Sequence, residues 1–126
     1  MPGFSRQTAA HRDDHGPVVD SHDDIGDMSL NFLTFKIDLD GAPLLRGLPD
    51  DRCSCPHWGY VTKGTLTFHF ADHAETYGEG DAFYVPAGHT PEVVAGTEYV
   101  QFSPADELHK VTEVMVRNTK AMMQNA

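Results

Sequence analysis

The chain has few of the cationic residues on which several classes of binding protein depend. Its 126 residues include 9 Lys and Arg against 19 Asp and Glu, which gives a formal net charge of −10. Nucleic-acid binding requires cations that displace counterions from phosphates, and anionic membranes attract basic segments. We therefore expect neither a nucleic-acid partner nor a membrane partner.

Long apolar runs and disulfide-forming cysteines are also lacking. No run approaches the roughly 20 apolar residues of a membrane-spanning helix. The first 16 residues, MPGFSRQTAAHRDDHG, contain no apolar core of a secretory signal. Two cysteines cannot build a disulfide framework. These absences predict a cytoplasmic protein, and the length fits one domain of roughly 100–200 residues.

The chain divides into three segments by composition and periodicity. Residues 1–28 are acidic, poor in apolar side chains and without periodicity, which predicts a flexible N-terminal arm. In residues 29–102 short runs alternate between apolar and polar side chains, and turn residues separate them. Short alternating strands with frequent turn signals are typical of an all-β sandwich or barrel.

Residues 103–126 change to a helical period. Ser103 is a suitable N-cap and Pro104 suits the first helical position. Apolar side chains recur at helical spacing from Leu108 to Met122. This pattern predicts one amphipathic C-terminal helix that packs on the barrel or on a partner.

The stretch Cys53-Ser-Cys-Pro-His-Trp-Gly-Tyr60 contains the residues most suited to chemistry. On a straight strand Cys53, Cys55 and His57 share one face. With His89 from the next polar cluster they would form a four-ligand site suited to Zn²⁺ or Fe²⁺. A bulge at Pro56 would instead turn one cysteine away from that face. A buried cysteine can also be a small apolar core residue.

The same stretch resembles the first of two motifs of the cupin superfamily, written G(x)5HxH(x)3–4E(x)6G. Gly64 fits the closing glycine, and His57 stands where the family has the metal-binding Glu. Cys53 takes the place of the second His and Asp51 the place of the first. The resemblance implies metal-ligand positions at this site, although the usual three-His, one-Glu set is absent.

The second cupin motif, G(x)5PxG(x)2H(x)3N, is matched by Gly80, Pro86 and Gly88. Pro91 stands at the family's His position, and His89 lies two residues earlier. The resemblance extends over about residues 33–102 and is closest to small cupins with Cys-x3-His-x-Gly-Tyr-Val and Pro-x-Gly-His. It implies a double-stranded β-helix, or jelly-roll barrel, that binds a small molecule and pairs as a homodimer.

Three functional hypotheses follow from these residues. The first is a metal-dependent enzyme in which His57, His89 and one cysteine hold a zinc or iron ion with an open position. The second is a non-catalytic sensor with a closed site of both histidines and both cysteines, and the third is a metal-free ligand-binding barrel. The candidates for other pocket residues are Trp58, Tyr60, Tyr84 and His69.

Overall fold

The structure, a computed structural model, describes residues 3–124 and consists of ten strands followed by one α-helix. Two 3-10 turns, Ala42–Leu45 and Pro49–Asp51, lie between the fourth and fifth strands. The strands are β1 (His11–Asp14), β2 (Val18–Ile25), β3 (Met28–Phe35), β4 (Leu39–Asp40), β5 (His57–Lys63), β6 (Thr65–His69), β7 (Ala74–Gly78), β8 (Ala82–Val85), β9 (Thr90–Val93) and β10 (Glu98–Pro104). The helix α1 extends over Ala105–Gln124.

The strands form two antiparallel sheets. The larger sheet has the order β1-β2-β3-β10-β5-β8, and the smaller sheet has the order β4-β9-β6-β7. Strands that are distant in the chain lie side by side, since β10 pairs with both β3 and β5. This arrangement confirms the predicted all-β jelly-roll barrel with a C-terminal helix.

The alternation that predicted the strands also builds the core between the sheets. Val61, Leu66 and Phe68 face inward and are almost completely buried. A second, smaller cluster joins the helix to the loop before β5 through Leu45, Leu108 and Val111, together with both cysteines. Burial of apolar side chains is the main favourable contribution to folding.

The structure differs from the flexible arm predicted for residues 1–28. Within it, β2 pairs with β3 along its whole length, from Val18 opposite Phe35 to Ile25 opposite Met28. Val19 is buried among the strands although the surrounding residues are acidic. In such a strand only every second side chain is buried, so the average composition of the segment does not reveal it. Met1 and Pro2 lie outside the described residues.

The helix begins at Ala105, one residue after the predicted first helical position. Ser103 is fully buried within β10, which continues to Pro104, and the amide of Ala105 donates to the carbonyl of Asp27 at 2.9 Å. The expected N-cap role of Ser103 is therefore wrong, because its hydroxyl bonds to a histidine of the barrel. The end of the prediction, residues 125–126, lies outside the described range. Between residues 3 and 124 no helix is long and apolar enough to span a membrane.

Candidate metal centre and its cavity

Three buried side chains meet at one end of the barrel. Cys53, His57 and His89 each offer a ligand atom, and these atoms all lie within 4.8 Å of one another. The Sγ of Cys53 is 3.5 Å from Nε2 of His57. Two ligands of one tetrahedral zinc ion are about 3.6 Å apart, given Zn–S and Zn–N bonds of about 2.3 and 2.05 Å. The spacing therefore suits a shared ion.

The backbone brings together residues that are far apart in the chain. Cys53 forms an isolated bridge with His89, in which the amide of Cys53 donates to the carbonyl of His89 at 2.8 Å. The amide of Gly88 donates back to the carbonyl of Cys53, also at 2.8 Å. His57 is the first residue of β5, opposite Val85 at the end of β8. The site is thus fixed by main-chain bonds on two sides.

Each imidazole is oriented by a hydrogen bond on the nitrogen away from the cluster. Nδ1 of His89 donates to the carbonyl oxygen of Pro86 at 2.8 Å. Nδ1 of His57 lies 2.6 Å from the hydroxyl oxygen of Ser103. Metal-binding histidines commonly have such a partner, which fixes the tautomer and leaves Nε2 free to bind the ion. Both histidines therefore present Nε2 to the cluster.

Burial determines the protonation of these groups. It lowers the pKa of His57 to about 3, with the charge of His89 as the second cause, and it also lowers the pKa of His89. Burial raises the pKa of the Cys53 thiol to about 11. At neutral pH the imidazoles are neutral and able to bind a metal, whereas the thiol loses its proton only when an ion displaces it.

Cys55 does not join this group. Its side chain is completely buried in the second core cluster, and its Sγ donates to the carbonyl of Pro56 at 3.3 Å. The strand begins only at His57 and the chain bends at Cys55, so the alternation of a strand does not apply to the residues before His57. The structure brings together three of the four predicted ligands.

The four predicted pocket residues lie elsewhere. Trp58, Tyr60 and Tyr84 are about half exposed on the outer face of the larger sheet, where the rings of Trp58 and Tyr84 are 5.0 Å apart. Each of these residues is next to an inward-facing residue of its strand. Because successive side chains of a strand point to opposite faces, these three point outward. His69 bonds to the exposed carboxylate of Glu92 at 2.6 Å. Their predicted place in the pocket is wrong.

The cluster forms part of the wall of a cavity of about 530 Å³ between the sheets and α1. Ligand sites of proteins have volumes of about 300–1,000 Å³ and are mostly apolar. Here the apolar wall comes from both sheets and from the helix. Representative residues of this wall are Leu33, Phe35, Leu39, Val93, Leu108 and Met115.

Polar residues that sequence reasoning missed line the same cavity: Asp20, Asn31, Tyr99 and Gln101. Asp20 lies in the segment expected to be an arm, so no pattern in the chain connected it to the barrel. On β10, Gln101 and Ser103 are buried whereas the apolar Phe102 is exposed. The apolar–polar alternation of this strand would have turned Gln101 and Ser103 outward, so it could not have identified them.

Comparisons with known proteins bear on the fold. No family model and no curated protein matches the chain. Among solved structures, the KdgF protein of Halomonas sp. shares 17% identity over 82% of this chain and 94% of its own, with a TM-score of 0.58. An RmlC-like cupin of Shewanella frigidimarina shares 14% identity over 82% and 91% of the two chains, also with a TM-score of 0.58.

The chain also matches one part of a larger protein of solved structure. A variant of Bacillus subtilis oxalate decarboxylase shares 14% identity with a TM-score of 0.57. The match covers 80% of this chain but 28% of the decarboxylase. Such low identities establish the fold only.

Proposed function

We propose that this chain, which has the cupin fold, is a metal-dependent enzyme that acts on a small molecule bound in its cavity. The observation that carries the proposal is the convergence of Cys53, His57 and His89 on the cavity wall. The hydrogen bonds on both Nδ1 atoms support the proposal, because they direct both Nε2 atoms toward the Cys53 thiol. Packing in an apolar core alone would not require this orientation.

Zinc is the metal that these ligands favour most. Thiolate and imidazole together suit zinc, and one thiolate with two imidazoles leaves one tetrahedral position open. A fourth protein ligand is typical of structural zinc, whereas three ligands are typical of catalytic zinc. Since Cys55 bonds to a backbone carbonyl outside the group, the arrangement favours catalysis over a closed structural site.

The chain would supply binding and orientation around the open position. When bound, the ion would polarise a carbonyl group or lower the pKa of a water molecule. The apolar wall would exclude bulk water and hold the apolar part of the substrate. The Tyr99 hydroxyl, on the same wall, would donate a hydrogen bond to the bound molecule.

The first test is the metal content of the protein, purified without a tag or a chelator and measured by mass spectrometry. We expect about one equivalent of zinc in the wild type and its loss in His57→Ala. Cys53→Ser and Cys55→Ser form a matched pair, because both thiols are buried but only Cys53 joins the cluster. We expect loss of the metal in the first and retention in the second. Thermal unfolding of each variant shows whether it is folded.

The outcomes separate the three hypotheses. Equal loss in both cysteine variants would favour the closed, non-catalytic site. Absence of metal in the wild type, even after reconstitution with zinc or iron, would contradict the proposal and leave a ligand-binding barrel. One equivalent of iron would keep the site and direct the search to reactions with O₂.

The homodimer and the cytoplasmic location stay predictions. The exposed aromatic side chains of the outer face are the positions at which a substitution can test the predicted dimer. Sedimentation equilibrium of the wild type and of Trp58→Ser gives the oligomeric state directly. A monomeric wild type at micromolar concentration would make the dimer prediction wrong.

A further inference from the structure

A second polar group lies on the cavity wall apart from the metal cluster. The Asp20 carboxylate, on β2, receives hydrogen bonds from Nδ2 of Asn31 on β3, at 3.1 Å to each oxygen. Both residues line the cavity. The amide of Asn31 fixes the carboxylate in place and leaves most of its acceptor capacity unused.

Asp20 forms no direct ion pair with any of the described residues. Burial raises the pKa of Asp20, and this is only partly opposed by the Asn31 hydrogen bond and by the charges of His22 and of His15, which also lines the cavity. Lys120 also lines the cavity but is exposed, and forms no ion pair with Asp20. A buried charge is costly unless it is paired and hydrogen-bonded. A cation in the cavity would supply the missing partner.

A neighbouring acceptor atom also favours a donor group in the ligand. The Oδ1 atom of Asn31 is buried without a hydrogen-bond partner. Gln101, which pairs with Asn31 across the strands, lines the same wall. Tyr99 lines this wall as well, together with Asp20 and the metal cluster. The polar residues of the cavity therefore include both groups.

We propose that Asp20, held by Asn31, is a specificity-determining residue that binds the ammonium group of a small amine, whose apolar part lies against the opposite wall. The proposal rests on the proposed function through the cavity as the substrate site. The net charge of −10 adds a favourable field for a cationic ligand. A carboxylate ligand of the same size would meet repulsion at Asp20.

The test compares three six-carbon probes that differ only in their polar end: hexylamine, hexan-1-ol and hexanoate. Calorimetric titration of the whole chain gives the dissociation constant of each. A hydrogen bond to a charged group contributes enough for about a tenfold to hundredfold preference. We therefore expect hexylamine to bind at least about tenfold more tightly than the alcohol, and hexanoate to bind most weakly.

Asp20→Asn should abolish this preference, because it keeps the shape and removes the charge. Asp23→Asn is the matched control, since Asp23 lies on the same strand but does not line the cavity. His57→Ala separates the two proposals: it should lose the metal and keep the preference for the amine. Equal binding of amine and alcohol, no binding of any probe, or a preference that survives in Asp20→Asn would each overturn the proposal, whatever the metal content.

Discussion

The two faces of the part of the larger sheet that contains β10, β5 and β8 differ in their burial, although both carry aromatic and polar residues. On the inner face, His57 is 5% exposed and bonds to Ser103 across the strands. On the outer face, the next residue, Trp58, is 45% exposed and contacts Tyr84. Residue type alone does not separate them. The direction in which each side chain points decides whether it reaches the cavity.

The direction of the side chains also explains why the two histidines lie at the cavity, as predicted, and why the aromatic candidates do not. Both histidines of the cluster reach the inner side through main-chain pairing, whereas the aromatic residues between and beside them reach the outer side. Burial then changes the chemistry of the inner residues, since it keeps the imidazoles neutral. The same side chains at the surface would titrate as ordinary histidines.

The largest difference in unfolding free energy is expected between substitutions of two adjacent residues of β8. Phe83 is buried and contacts the rings of Phe68, Tyr77 and Tyr99, whereas Tyr84 is half exposed. Phe83→Ala should lower the free energy of unfolding by about 3–5 kcal/mol. Tyr84→Ala should cost about 1 kcal/mol through the loss of its contact with Trp58. Urea denaturation measures both, and equal losses would contradict the assignment of the two faces.

The buried histidines should make the metal-free protein less stable in acid. Burial lowers the pKa of His57 to about 3, against about 6.5 in the unfolded chain. Between these values the unfolded state binds the proton and the folded state does not. The free energy of unfolding should thus fall as pH drops below 6.5, by up to about 1.4 kcal/mol per pH unit for each such histidine.

Urea denaturation between pH 7 and pH 4.5 measures this slope, which should be shallower in His57→Gln. His73→Gln is the surface control. The neighbouring Asp72 and Glu75 raise the pKa of His73, so its contribution is present at low pH and is lost as pH rises through that raised value. A slope that stays unchanged in His57→Gln would contradict the neutral, buried imidazole.

Gly59, on the inner face, should resist substitution, whereas Gly78, which has free space at its Cβ position, should accept it. A Cβ at Gly59 would overlap the ring of Phe83 and lie 2.6 Å from the carbonyl oxygen of Val100. Gly59→Ala should therefore cost about 1–3 kcal/mol in unfolding free energy. At Gly78 no atom lies within 4 Å, and Gly78→Ala should be neutral or slightly stabilising. Thermal unfolding of both variants checks this, and similar midpoints would argue against the close packing at Gly59.

The smallest effect is expected at Ser103, whose hydroxyl bonds to His57 but is not itself one of the metal ligands. Ser103→Ala removes the partner of His57 Nδ1, and we expect about tenfold weaker zinc binding. Ser29→Ala is the matched control, because Ser29 is buried and bonds to Asp24 away from the cluster. Competition with a zinc chelator of known affinity measures both variants. Equal affinities would show that Ser103 does not orient His57.

Much of the barrel could be predicted because alternation is a local property. Leu66 and Phe68, for example, alternate with polar residues in the sequence, and both are buried in the core. The boundary at Ser103 was misplaced because a serine before a proline is equally suited to a helix N-cap and to the end of a strand. Local pattern could not choose between them, whereas pairing with β3 and β5 did.

The site was only partly predictable for the same reason. Cys53, His57 and His89 could be nominated as ligands from their types and their motif positions. The exclusion of Cys55 depended on how the chain bends around Pro56, which spacing along the sequence does not specify. Asp20 could not be found at all, since its place on the cavity wall depends on β2, a strand in a segment whose composition indicates no core.

The sequence by itself determined the class of fold, because strand periodicity and turn residues are encoded locally. It also determined that thiol and imidazole groups are available for a metal centre. The tertiary structure alone decided which of them meet and which side chains share their cavity. Those outcomes depend on contacts between residues distant in the chain, such as Cys53 with His89 and His57 with Ser103, whose geometry exists only once the two sheets and the helix are packed together.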